Sequence, residues 1–132
     1  MSERLALYKC EICGNLVQVL LSGDGELSCC GKPMTYLKPH NKSDEMLEEK
    51  HVPIFIHNES GEEVIQVGST LHPMSEEHYI QFIETISEDR NKIELKYLSP
   101  NDKPVMEIDK SSNVHCALEY CNIHGLWEGK HD

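Results

Sequence analysis

From about residue 50 onward, hydrophobic and polar residues alternate in short runs separated by turn-like stretches such as NESG, SEDRN and SPNDK. The runs are rich in Val, Ile, Tyr and Phe, residues that favour β-strands. Several short strands within about 85 residues predict an antiparallel β-sandwich or barrel. The six predicted strands are VPIFIH (52–57), EEVIQVG (62–68), HYIQFIETI (78–86), KIELKYL (92–98), PVMEID (104–109) and NVHCALEYC (113–121).

One of these runs has two readings. In EEHYIQFIETI, Ile80 and Ile83 are spaced as on one face of a helix, and so are Phe82 and Ile86. The neighbouring runs are all strand-like, and this context favours a strand.

The first 38 residues differ from the rest. LVQVLL (16–21) predicts a strand and SGDGE (22–26) a turn, but so short a segment rarely buries enough apolar surface to fold unaided. A bound metal would supply the missing free energy. We therefore expect a metal-stabilised domain at 1–38, a polar linker at 39–48 and a β-sandwich domain at 49–132.

Charge and composition narrow the function classes. Twelve Lys and Arg against 23 Asp and Glu give a net charge of −11 among 132 residues, which disfavours nucleic acid and anionic membranes as partners. No apolar run approaches a membrane span, and the start MSERLALYK lacks the apolar stretch of a secretory signal. We expect a cytoplasmic protein. In a reducing compartment its six cysteines are more typical of metal sites than of disulfides.

Four cysteines form the first candidate metal site. Cys10 and Cys13 are followed, 15 residues later, by the adjacent pair Cys29 and Cys30. Four thiolates suit a tetrahedral zinc or iron ion. Adjacent extended residues point to opposite faces, so both members of the pair reach one metal only if the backbone bends. A structural zinc knuckle and a vicinal disulfide are alternatives.

Histidines from distant segments, with one cysteine, form the second candidate site. EKHVP (49–53), HPMSEEHY (72–79) and CNIHG (121–125) each place such side chains beside Pro or Gly. If these loops meet at one end of the sandwich, they surround one metal with four imidazoles and a thiolate; spacing alone leaves surface histidines as an alternative. The candidate ligands are His51, His72, His78, Cys121 and His124.

Together these motifs resemble a known family. Cys-x2-Cys-x15-Cys-Cys, followed by Gly31 and Pro33, resembles desulforedoxin, a small protein with one iron on four cysteines. EKHVP, HPM with a second histidine six residues after the first, and EYCNIHG look like the signature of superoxide reductase. Joined in one chain, they resemble desulfoferrodoxin, the two-iron form, over nearly the whole sequence.

The resemblance implies an immunoglobulin-like sandwich and two irons per chain. One iron would be bound by Cys10, Cys13, Cys29 and Cys30, which we call the front cluster. The other would be bound by the four histidines, with Cys121 as axial ligand. The implied reaction adds one electron and two protons to superoxide, giving hydrogen peroxide without oxygen. A rubredoxin-like protein would donate electrons, and the protein would be a homodimer.

The resemblance also implies roles around the second iron. Lys50 would attract superoxide, and Glu49 would occupy the open iron position after oxidation. The backbone N–H groups of Ile123 and His124 would hydrogen-bond the Cys121 sulfur. Without the resemblance, Glu49 and Lys50 read as a solvated charge pair.

Three other functions stay open: a zinc-stabilised binding module without catalysis, an electron carrier that uses only the front iron, and a superoxide dismutase.

Two further residues carry structural predictions. On a strand, Cys116 shares a face with Val114, Leu118 and Tyr120, which predicts a buried apolar role and not a ligand. Trp127 is predicted to cover one side of the site or to close the sandwich. No motif surrounds His40, His57, His115 or His131, which are predicted to be surface residues.

Overall fold

The chain forms two compact units, Met1–Lys38 and Pro39–Asp132. The structure is a computed structural model that describes residues 3–41, 51–68 and 73–131. Among these residues, no helix is both long enough and apolar enough to cross a lipid bilayer. The predicted roles of Glu49, Lys50 and His72 fall on residues outside the described part.

The first unit is a set of very short strands around a small core. The strands are β1 (Leu7–Lys9), β2 (Leu16–Gln18), β3 (Ser28–Cys29), β4 (Lys32–Pro33) and β5 (Thr35–Tyr36). Strand β1 lies between β2 and β5, and β3 pairs with β4 in a separate antiparallel hairpin. Only half of the predicted strand at 16–21 forms, because Leu20 and Leu21 leave the sheet and are exposed.

The second unit is the predicted immunoglobulin-like β-sandwich. The strands are β6 (Pro53–His57), β7 (Glu63–Val67), β8 (Ile80–Ser87), β9 (Ile93–Tyr97), β10 (Val105–Glu107), β11 (Val114–Cys121) and β12 (Gly125–Lys130). One sheet has the order β10-β7-β6 and the other has the order β12-β11-β8-β9, and every pairing is antiparallel. A 3₁₀ turn (Lys110–Ser112) precedes β11.

The core lies between these two sheets. Each fully buried isoleucine in it contributes roughly 1.5–3 kcal/mol relative to an exposed one. Cys121 belongs to this core and is fully buried, so the predicted site begins at the edge of the packed interior. The cluster consists of Ile65, Val67, Ile80, Ile83, Leu98, Met106, Ala117 and Cys121.

Two details of the second sheet bear on the prediction. The ambiguous run around Ile83 is strand β8, as its context favoured. Strand β12 was not among the six predicted strands, yet it pairs with β11 along its whole length, from Cys121 opposite Gly125 to Cys116 opposite Lys130. The three residues between Cys121 and Gly125 form the hairpin loop.

Candidate metal centres

The four front cysteines converge. One sulfur from each of Cys10, Cys13, Cys29 and Cys30 lies within 4.8 Å of the others. The sulfurs of Cys13 and Cys29 are 3.6 Å apart, and those of Cys29 and Cys30 are 3.9 Å apart. Cys10 is buried, whereas Cys13 and Cys30 are exposed. The first unit therefore holds its thiols around one point at its surface.

Local backbone geometry explains how adjacent cysteines share this point. Cys30 adopts φ 54° and Gly31 φ 75°, so the chain turns through the left-handed region directly after Cys29. At the other pair, the N–H of Gly14 donates to the Cys10 carbonyl over 2.9 Å, and the N–H of Cys13 donates to the Cys10 sulfur over 3.4 Å. Each pair is thus folded around its sulfurs by a tight turn.

The thiols of this cluster differ in acidity. The pKa of Cys10 is lowered to about 6, first because the Cys13 N–H hydrogen-bonds its sulfur. The pKa of Cys30 is raised to about 12, first because of its hydrogen bond with the Cys13 thiol. Crowded thiols cannot all ionise without a compensating cation, and a metal ion supplies that charge.

The second cluster brings together four of the five predicted side chains. The ligand atoms of His51, His78, Cys121 and His124 lie within 4.8 Å of one another. His124 Nδ1 is 3.0 Å from His51 Nε2 and 3.9 Å from the Cys121 sulfur. The His78 ring centroid is 5.0 Å from that of His124. The fifth predicted ligand, His72, is outside the described residues.

Strand topology places these side chains at one end of the sandwich. His51 and His78 each come two residues before a strand, β6 and β8 respectively, whereas Cys121 ends β11. Because β11 runs antiparallel to β8, its last residue pairs with Ile80 at the start of β8. His124 lies in the hairpin loop that follows Cys121. Residues distant in sequence therefore meet where these strands begin or end.

Trp127 covers one side of the second cluster, as predicted. Its ring centroid is 5.1 Å from that of His51, and its Nε1–H donates to the His124 carbonyl over 3.2 Å. Trp127 is only 2% exposed. His40, though exposed, has its ring centroid 4.9 Å from that of Trp127 and forms a parallel bridge with this residue. The indole thus contacts both His51 and His40.

Burial and backbone groups act in opposite directions on Cys121. Burial raises the pKa of its thiol, while the backbone N–H groups of His124 and Ile123 lower it. His51 is 1% exposed, whereas His78 and His124 are half-buried. The Cys121 sulfur therefore faces the buried core, and solvent reaches the cluster on the side of His78 and His124.

Glu119 was missed by the sequence analysis. It is fully buried, and neither carboxyl oxygen has a hydrogen-bond partner among the described residues. Burial raises its pKa well above the ordinary value, which favours the neutral form of the carboxyl. Strand alternation puts Glu119 on the same face of β11 as Cys121, and that alternation was the available signal.

Both donor sets fit transition metals. Four sulfurs match a tetrahedral iron or zinc site, and three imidazoles with one buried sulfur match iron, copper or zinc better than magnesium or calcium. Among the residues that the structure describes, no carboxylate belongs to either group of atoms. The arrangement is consistent with two iron sites.

Comparison with known proteins agrees with both sites. The family described as Desulfoferrodoxin matches residues 43–130, and its N-terminal domain matches residues 2–37. A desulfoferrodoxin from Syntrophotalea carbinolica is 45% identical, covering 98% of this chain and 99% of that protein. A superoxide reductase from Pyrococcus furiosus is 32% identical, covering 67% of this chain and 92% of that protein.

A solved structure extends the likeness to the fold. The crystal structure of the superoxide reductase from Treponema pallidum superimposes with a TM-score of 0.70 at 25% identity, covering 97% of this chain and 100% of that one. The matches span both units and include the segments that carry both clusters. The chain therefore belongs to the desulfoferrodoxin family and is related to the superoxide reductases.

Proposed function

We propose that this protein is a superoxide reductase that converts superoxide to hydrogen peroxide at the second cluster. The observation that carries the proposal is the convergence of His51, His78, Cys121 and His124 at one partly open end of the sandwich. The overall reaction takes one superoxide, one electron and two protons to one hydrogen peroxide. No oxygen is formed.

The charge of the donor set suits an anionic substrate. Iron bound here would supply one electron to superoxide. Neutral imidazoles add no charge, so a single thiolate leaves a divalent cation only partly neutralised and able to attract a small anion. Cys121, buried on the core side, would hold its negative charge away from the approaching substrate. His72 is proposed as the fourth imidazole.

Residues beside His51 would guide the substrate and the product. Superoxide must reach a protein with a net charge of −11, so a local positive charge at Lys50 would raise the encounter rate. Lys50 could also order a water that supplies a proton. Glu49 would help to displace peroxide after the electron has moved. The half-buried His78 and His124 leave the site open to solvent, the source of protons.

The front cluster is proposed to hold a second iron on Cys10, Cys13, Cys29 and Cys30. That iron would stabilise the first unit, whose buried apolar side chains are few, and it is placed at the surface where electrons could enter. We further propose a rubredoxin-like protein as electron donor and a homodimer as the assembled state.

Product stoichiometry tests the proposal. Iron-loaded protein with a chemical reductant is exposed to a steady flux of superoxide, and peroxide and oxygen are both counted. Reduction gives one peroxide for each superoxide and consumes the reductant. One peroxide for every two superoxides, with oxygen evolved, would show a dismutase. No loss of superoxide would show a binding module or a simple electron carrier.

A further inference from the structure

We propose that Asn122 is a positioning residue that fixes His78 in the second cluster. Its side chain makes two hydrogen bonds to the backbone on either side of His78. The Tyr79 N–H donates to Asn122 Oδ1 over 3.0 Å, and Asn122 Nδ2 donates to the Glu77 carbonyl over 3.0 Å. The backbone N–H of Asn122 adds a bond of 3.2 Å to the Tyr79 carbonyl.

These bonds connect parts of the site that are distant in the chain. Asn122 lies in the loop between Cys121 and His124, and its partners are 43 and 45 positions away. The hairpin that carries Cys121 and His124 therefore also sets the backbone around His78. The inferred role of Asn122 rests on the proposed function only because it treats the second cluster as an iron site.

The His78 segment has little regular structure of its own. It precedes β8 and contains a single turn, in which the His78 N–H approaches the carbonyl and hydroxyl oxygens of Ser75 at 3.2 Å each. Without the Asn122 clamp, this segment would sample more conformations, and metal binding would have to order it. Loss of outer partners of this kind typically lowers metal affinity about 10- to 100-fold.

The chemistry of the clamp requires an amide. Only a side chain with one acceptor and one donor can bond both the Tyr79 N–H and the Glu77 carbonyl. Asn122→Asp keeps the acceptor and loses the donor, whereas Asn122→Ala loses both. A graded effect, with the alanine variant more severe, is therefore expected.

Iron retention tests this role. Iron-loaded full-length protein is challenged with a ferrous chelator, and iron release from the two centres is followed separately by their absorption. We expect release from the second centre to be roughly 10- to 100-fold faster in Asn122→Ala and intermediate in Asn122→Asp, with the front centre unchanged. In the same loaded protein, hydrogen exchange at the Tyr79 amide should accelerate.

Asn58 provides a matched control. Its Oδ1 also accepts two backbone N–H groups, from Ser60 at 3.0 Å and Glu62 at 2.9 Å, in the β6–β7 turn. Asn58→Ala should leave iron release and Tyr79 exchange unchanged. The proposal is overturned if Asn122→Ala releases iron no faster than Asn58→Ala. Failure of the protein to reduce superoxide would not change this comparison, so the two hypotheses fail separately.

Discussion

Nδ1 of His124 lies 3.0 Å from Nε2 of His51, although 73 positions separate the two residues. At that distance the two nitrogens either share one proton or bind the same cation. The Cys121 sulfur is 3.9 Å from the same Nδ1, which makes a shared cation the better use of the geometry. Strand topology therefore brings these three side chains together from distant parts of the chain.

Replacing His51 should impair the second cluster and leave the front cluster intact. His51→Ala removes a buried imidazole from the site, and loss of a direct ligand should cost at least the roughly 10- to 100-fold in metal affinity that outer partners cost. We expect superoxide reduction to be lost and the front centre's visible absorption to stay. Metal analysis and the superoxide assay on one preparation would measure both.

His57→Ala is the matched control, because His57 is an exposed residue at the far end of β6. It should keep full activity and both irons. If His51→Ala also kept its activity, the reaction would have to occur elsewhere, and an electron carrier that uses only the front cluster would become the better interpretation.

Lys50 should affect the capture of superoxide more than later steps. Lys50→Ala removes the positive charge next to His51, so the second-order rate constant with superoxide should fall by about 10-fold or more and become less sensitive to salt. Rapid mixing of reduced protein with superoxide at several ionic strengths would measure both effects.

Lys103→Ala changes the net charge by the same amount from an exposed turn before β10. Its rate should stay close to that of the unchanged protein. Equal rates for the two variants would mean that only total charge matters, and Lys50 would have no special place in the reaction.

The sequence predicted contacts between residues close together in the chain better than contacts between distant residues. Cys121 and His124 are three residues apart in one hairpin, so their proximity followed from spacing. The approach of His51 depended on strand order, which composition does not fix, and only the family resemblance supplied it. Strand β12 was missed because Gly125–Lys130 contains two glycines and no β-branched residue, and pairing with β11 overrides that weak propensity. The bonds from Asn122 to Glu77 and Tyr79 had no sequence signal.

Gly129 should be sensitive because its backbone lies against β6. A Cβ built on Gly129 would overlap the carbonyl oxygen of Pro53, two residues after His51. Gly129→Ala must push the strands apart, so we expect a loss of about 1–3 kcal/mol in the free energy of unfolding, together with lower iron occupancy of the second centre. Urea unfolding and metal analysis would measure the two effects.

Gly23→Ala gives the comparison, since a Cβ there meets no atom within 4 Å and the residue lies in the other unit. It should change neither stability nor iron content. A Gly129→Ala protein as stable as Gly23→Ala would show that β12 and β6 can separate without cost.

Cys116 should reveal its burial through pH. The side chain is only 6% exposed, which confirms its predicted buried position, and burial raises its pKa above the ordinary 9.0. Well below the ordinary pKa of 9.0 the thiol is protonated in both the folded and unfolded states and adds no pH dependence. As the pH rises further, the unfolded thiol ionises first, so the native state binds more protons and stability falls until the folded thiol also ionises. Cys116→Ala should therefore lose less stability than the unchanged protein as the pH rises from about 8 to about 10, about one unit on either side of the ordinary pKa of 9.0, although removal of the sulfur costs it about 1 kcal/mol throughout. Urea unfolding across this range gives the difference, and parallel curves for the two proteins would show that the thiol titrates alike in both states.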